Sequence, residues 1–171
     1  LQDVEIVTDI SEVTEAIPEI PLYTDAYTLA LRYSLASLLE KTLSKRAYLK
    51  SGAYLVIEPT EAMTVIDVNS GKSIKGKNAE EQFLKINIEA AKEIARQLRL
   101  RNISGIVMID FINMKENTHN QELVKRLAEF VRTDPVRTTV VDMTKLGLVE
   151  LTRQKGKRAL HEVFSENNRL T

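Results

Sequence analysis

Two strand-like segments, each with an aspartate among apolar residues, flank one long helical pattern, and this alternation confines the middle of the chain to a layered α/β fold. The segments are MTVIDVN (63–69) and GIVMIDFI (105–112). Between them the spacing predicts a helix from about Ala79 to Arg101, with Leu84, Ile88, Ala91, Ala95 and Leu98 in one apolar stripe. Asn78 is its expected N-cap, and Glu81 stands three residues later, as in a capping box. GIVMIDFI is so continuously apolar that it reads as a strand covered on both faces.

The flanking elements follow the same logic. AYLVIEP (53–59), RTTVVDM (137–143) and GLVEL (147–151) read as strands. Thr118 with Gln121 is expected to cap a helix running to about Arg132, packed through Leu123, Leu127 and Phe130. Upstream, VEIVTDI (4–10) reads as a short strand. After a loop broken by Pro18 and Pro21, leucines at 29, 31, 35, 38, 39 and 43 predict a helix over 26–45. The interruption at Lys50, Ser51 and Gly52 suggests that residues 1–45 form a different unit from residues 46–151. Residues 152–171 read as a basic tail, helical in ALHEVF.

Charge is balanced in sum and uneven in place. The chain has 24 Lys plus Arg and 24 Asp plus Glu, which excludes a uniformly polybasic binder. Residues 1–20 hold six acids and no Lys or Arg, so residues 21–171 carry the compensating +6. Positive charge gathers in VNSGKSIKGK (68–77), with Lys72, Lys75 and Lys77, and in LTRQKGKR (151–158), with Arg153, Lys155, Lys157 and Arg158. Either segment is a solvated loop or a local attractor for a polyanion. The absence of cysteine excludes disulfides, a cysteine–zinc site and a thiol nucleophile within the chain. No apolar run approaches the ~18 residues that span a bilayer, and LQDVEIVTDI has no signal-peptide character; the cytoplasm is the expected compartment.

The chemistry points to the acids. Asp67 and Asn69 share a strand face, and Asp110 shares one with Met108 and Ile106. A lone buried carboxylate costs several kcal/mol (roughly) unless it is neutralised, paired or metal-bound. Two carboxylates and an amide form an all-oxygen donor set suited to Mg²⁺ or Mn²⁺. The alternative is that each aspartate caps a loop or pairs with an arginine. His119 and His161 are expected at the surface. SGK (70–72) lacks the spacing of a phosphate-binding P-loop. From the residues alone, the reading is a metal-dependent phosphate-ester site with basic flanks.

KSGAYLVIEPTEAMTVIDVNSGK, EEQFLKINIEAAKEIARQLRLRNISGIVMIDFINM and GLVELTRQKGKRALHEV resemble the ribonuclease E/G family over most of residues 50–165. PLYTDAYTLALRYSLASLLEKTLSKRAYLKSG is similar to the stretch leading into that family's nuclease core. The resemblance implies a DNase-I-like layered α/β subdomain from about residue 46, preceded by part of an RNase-H-like subdomain. It implies that Asp67 and Asp110 hold a catalytic Mg²⁺ and that Asn69 orients the attacking water or the phosphate. It also implies that Arg137 grips an RNA 5′-monophosphate, or else is a solvated arginine at a strand start. The implied reaction is internal hydrolysis of single-stranded RNA, leaving 5′-phosphate and 3′-hydroxyl ends, with Lys72, Lys75 and Lys77 as weak backbone contacts.

The chain departs from the family pattern at Asn113, where the family has a second aspartate, at Ala53 in place of a glycine, and at Ile86 in place of a threonine. The family's RNA-clamping barrel and its Cys-Pro-x-Cys metal link have no counterpart in these 171 residues. The expectation is therefore a cutting fragment, weak or inactive alone, with no zinc within the chain and with assembly open between monomer and homo-oligomer. The competing readings are a non-catalytic scaffold or assembly module of the same fold, and a metal phosphoesterase acting on other phosphate esters.

Overall fold

The computed structural model describes residues 5–72, 74, 76 and 78–167, and the chain divides into two compact units, Leu1–Lys41 and Thr42–Thr171. In the first unit the expected strand over 4–10 reduces, in its described part, to one bridge between Thr8 and Leu22. Helix α1 (Ser11–Ala16) follows it directly. The long helix expected over 26–45 is two, α2 (Leu29–Arg32) and α3 (Leu35–Leu43). The break falls at Ser34, whose φ of 50° is left-handed and cannot continue a right-handed helix.

The second unit is built on a six-stranded sheet: β1 (Arg46–Tyr48), β2 (Tyr54–Pro59), β3 (Thr64–Asn69), β4 (Gly105–Asp110), β5 (Thr138–Met143) and β6 (Leu148–Arg153), in the order β1-β2-β3-β4-β6-β5. Among the described residues its helices are α4 (Ala79–Leu100), α5 (Asn117–Val131) and α6 (Leu160–Asn167). The KSG interruption is the turn of the β1–β2 hairpin, where Gly52 takes φ +89°. β3 and β4 pair in parallel; the other adjacent strands pair antiparallel.

The core lies on one sheet face. Leu55, Ile57, Ile66, Val68, Val107, Ile109, Val149 and Leu151 alternate along β2, β3, β4 and β6 and meet Ala90, Ala91, Ile94, Ala95 and Leu98 of α4 and Leu123, Leu127 and Val131 of α5. The alanines let α4 approach the sheet closely, and each fully buried Leu or Ile is worth about 1.5–3 kcal/mol. The two-sided cover expected for GIVMIDFI is not found. β4 alternates, with Val107 and Ile109 buried, Ile106 47% exposed and Asp110 exposed. Apolar residues on the open face had made a one-sided strand read as two-sided.

The expected caps are also corrected. Asn78 makes no side-chain cap to α4, and α5 begins at Asn117 after Glu116 with no side-chain cap, so Thr118 lies inside it. Among the described residues no helix is long and apolar enough to cross a membrane.

Arg153, read above with the basic segment, is instead buried at the end of β6. Its Nε and a terminal nitrogen donate to Asp134 at 2.8 and 3.2 Å, with the two side chains 4% and 2% exposed. The other terminal nitrogen donates to the Asn102 side chain and the Ile103 carbonyl, both at 3.1 Å. Asn102 in turn donates to the carbonyls of Lys157 and Arg158. One guanidinium thus ties the α5–β5 loop, the α4–β4 loop and the segment after β6.

Burial pushes the Asp134 carboxyl up, but hydrogen bonds from Arg153, the Val136 N–H and Thr138, with the Arg153 charge, carry it below its ordinary 3.8. A depressed carboxylate stabilises the fold above its unfolded value and loses that contribution as pH falls through its folded value. Asp134→Ala should therefore cost ~3–5 kcal/mol at neutral pH, because it strands a buried cation. The deficit relative to wild type should shrink below about pH 4. Urea unfolding at neutral and acid pH reads both, and a deficit that does not change with pH would contradict the assignment.

Candidate functional site

The parallel register of β3 and β4 places Asp67 directly opposite Asp110. Paired positions on neighbouring strands share a face and stand about 4.8 Å apart. Both aspartates lie on the open face, and both are exposed. The burial cost considered above for a lone carboxylate therefore does not arise. Asn69, two residues beyond Asp67 on the same face, donates from Nδ2 to Asp67 Oδ2 at 2.7 Å. Asp67, Asn69 and Asp110 are thus brought together, and among the described residues no ion pair ties either aspartate.

Helix α4 holds the loops around this sheet end. Asn87, fully buried, donates to the Ile112 carbonyl at 2.8 Å and accepts from the Ile112 N–H at 3.0 Å. That reciprocal clamp fixes the backbone two residues past Asp110. Glu80, rather than the expected Glu81, is the working acid of the first turn: it accepts from the N–H groups of Lys115 and Glu116 at 2.7 and 2.9 Å. Glu89 accepts from the N–H groups of Lys50 and Ser51 in the β1–β2 turn. The loop after Asn69 crosses that turn at Gly71 (φ +70°), where a Cβ would collide with the Gly52 carbonyl oxygen.

The remaining predicted residues scatter. Lys72 is exposed at the Asp67 end of β3; Lys75 and Lys77 lie outside the described residues. Arg137 is exposed just before β5. Thr138 is in register with Arg153, and Arg153 with Gly105, so Arg137 stands at the opposite sheet end from Asp110, roughly 17 Å of strand away. Asn113 lies against the β5–β6 turn, its Oδ1 3.6 Å from where a Gly147 Cβ would be. The histidines are half-buried rather than on the surface; His119 Nδ1 sits 3.6 Å from Glu80.

Several residues on the open face escaped the sequence reading. Glu150 pairs with Met108 and with Asp142 across β6, and Arg46 shares the row of Val56, Asp67 and Asp110. Period-two alternation was the available signal, but it names neighbours only once strand order is known. Among the described residues no cluster of three or more His, Cys, Asp or Glu is arranged to hold a metal. The site offers two carboxylates and an amide, so any cation there would keep several waters, as Mg²⁺ does.

A model of the Ribonuclease E/G family matches residues 2–156. The chain is 40% identical over 156 residues to a Ribonuclease G of Haemophilus influenzae, covering 89% of this chain and 32% of that protein. It is 37% identical over 155 residues to Ribonuclease G of Escherichia coli K12, covering 88% and 32%. To a Ribonuclease E of Synechocystis it is 41% identical over 147 residues, covering 86% of this chain and 22% of the relative. The chain therefore spans about a third, or less, of the length of the curated relatives it matches.

Two measurements test the clamps. Asn87→Ala leaves the Ile112 N–H and carbonyl unpaired and should cost about 2–4 kcal/mol, with faster amide exchange at Ile112; unchanged exchange there would count against the clamp. The Glu80 carboxyl is held below its ordinary 4.5, first by the Glu116 N–H and then by the Lys115 N–H and His119, against some desolvation. Its contribution is present above pH 4.5 and lost on acidification. Exchange of the Lys115 and Glu116 amides should therefore accelerate as pH falls below that value, relative to a Glu80→Gln variant.

Proposed function

The chain belongs to the ribonuclease E/G family, and from that premise we propose that it carries the cutting centre of a metal-dependent endoribonuclease. The substrate of this reading is single-stranded RNA, hydrolysed internally to 5′-phosphate and 3′-hydroxyl ends in the cytoplasm. The observation that carries it is the in-register pairing of Asp67 and Asp110 on an open sheet face, with Asn69 bonded to the first. The finer fold assignment belongs to the same proposal: a DNase-I-like subdomain from about residue 46, preceded by part of an RNase-H-like one.

The residues fit the metal that the family implies. Asp67 and Asp110 are hard oxygen donors that share a face on adjacent strands and, among the described residues, make no ion pair. Mg²⁺ held by them, or Mn²⁺ in its place, would supply a bound water of lowered pKa and offset charge on the phosphate. Asn69 fixes one oxygen of Asp67 and so orients that carboxylate, and its own carbonyl remains available to accept from a water. Lys72 at the same end would attract the RNA backbone. Arg137, at the opposite end, would meet a 5′-monophosphate some nucleotides away from the cut. No side-chain nucleophile is required.

Loss of Asp110 (Asp110→Ala) should lower cleavage of 5′-monophosphorylated single-stranded RNA by more than ~100-fold, since even outer partners of metal ligands cost 10–100-fold. Cleavage that survives places the chemistry elsewhere. Because the chain spans only part of its relatives, metal binding is the independent readout. Mn²⁺ should broaden the NMR signals of residues 67 and 110 in the wild type and far less in Asp67→Asn. Arg137→Ala should reduce cleavage of 5′-monophosphate RNA selectively; an equal loss with 5′-hydroxyl RNA removes its assigned role.

A further inference from the structure

The β1–β2 hairpin presents an aromatic surface beside this site. Tyr48 is in register with Tyr54, and Tyr54 with Asn69. Each alternates with a residue turned to the core face, Ala47, Leu55 and Val68. All three therefore lie in one row on the open face, one pair beyond the row that holds Asp67 and Asp110. The second unit has only two tyrosines, and both stand here. Their rings are 5.9 Å apart and tilted by 49°, and the Arg46 guanidinium lies 5.2 Å over the Tyr54 ring.

These contacts use Tyr54 and leave Tyr48 in water. The Arg46 cation occupies Tyr54, while Tyr48 remains 71% exposed. A cross-strand aromatic pair contributes roughly 0.2–1 kcal/mol, which does not require so large a ring to stay wet. We propose that Tyr48, supported by Tyr54 and Arg46, is a stacking platform for an unpaired base of single-stranded RNA next to the cleavage site. The proposal rests on the endoribonuclease reading for the identity of the ligand.

Three features select that occupant. A planar apolar face backed by a cation suits a nucleobase on an anionic backbone. The platform stands two strands, about 10 Å, from Asn69, so it would hold a base close to the scissile phosphate. Arg46, exposed in the row of Asp67 and Asp110, and Lys72, exposed in the loop that follows Asn69, supply positive charge where the two aspartates would otherwise repel the backbone. Stacking is tolerant of base identity, so the platform would position the strand without choosing a sequence.

The test uses the 171-residue chain without divalent metal, titrated with a short fluorescent oligouridylate. Tyr48→Ala should weaken binding about 5- to 100-fold, whereas Tyr48→Phe, which keeps the ring, should bind like wild type. Abasic nucleosides placed one at a time should weaken wild-type binding at one position and have no further effect on Tyr48→Ala. The proposal is overturned if wild type does not bind, if Tyr48→Ala binds like wild type, or if Tyr48→Phe loses as much as Tyr48→Ala. Failure of the nuclease reading is separable: metal-free binding that depends on Tyr48, with no Asp110-dependent cleavage, keeps the platform and removes the catalysis. Asp110-dependent cleavage with binding indifferent to Tyr48 does the reverse.

Discussion

The parallel pairing of β3 with β4 is the constraint from which the second unit follows. Two parallel neighbours cannot be joined by a tight turn, so the chain must cross over, and α4 is the crossover. Its 22 residues and its alanine-rich face allow it to lie close on the sheet. Having been placed there, it also organises the loops at the acidic end. Glu80, Asn87 and Glu89 project from one helix to the β4–α5 loop, the end of β4 and the β1–β2 turn. The same pairing sets Asp67 and Asp110 side by side. The element that makes the fold possible is thus the element that positions the candidate site.

Much of this was legible because local pattern and tertiary role agreed. The apolar stripe of α4 and the strands β2 through β6 could be read from periodicity, and the acids stood out against their apolar neighbours. What was lost depended on partners remote in sequence. β1 is three residues long and exists through its pairing with β2. The capping box failed because Asn78 (φ −103°, ψ 15°) lacks the extended backbone of an N-cap and makes no side-chain cap, while Glu80 accepts from the N–H groups of another loop. Arg153 looked like one charge in a basic run. Only the fold brings Asp134 and Asn102 around it, and a buried guanidinium needs those partners to be tolerated at all.

The both-faces error is instructive because it arose from the residues that matter most. Val65, Ile106 and Met108 on the open face are apolar, so β3 and β4 lack the polar alternation that marks a half-solvated sheet. A sheet face that is part apolar, part acidic and edged by Tyr48 and Arg46 is an unusual surface to leave in water. Its carboxylates extend from Asp67 and Asp110 to Glu150 and Asp142, and beside them it offers apolar surface and a cation near the edge, none of which the net charge reports. The balanced charge of the whole chain therefore says little about this face, since the six acids of residues 1–20 lie in the other unit.

The aspartate pair is, by itself, a liability to the fold. Aspartate is disfavoured in strands, and like charges directly opposite one another destabilise a sheet. Among the described residues no cation offsets them, and the one bond made to either carboxylate comes from the neutral amide of Asn69. Elsewhere the same chain shows what it does with a carboxylate that serves structure: Asp134 is buried, bidentate to Arg153 and supported by a backbone N–H. The contrast separates the two kinds of acid on physical grounds. Asp134 is satisfied by the fold, whereas Asp67 and Asp110 are held in place by it and left with unused donor capacity. Groups left in that state on a rigid scaffold are the ones available to a ligand.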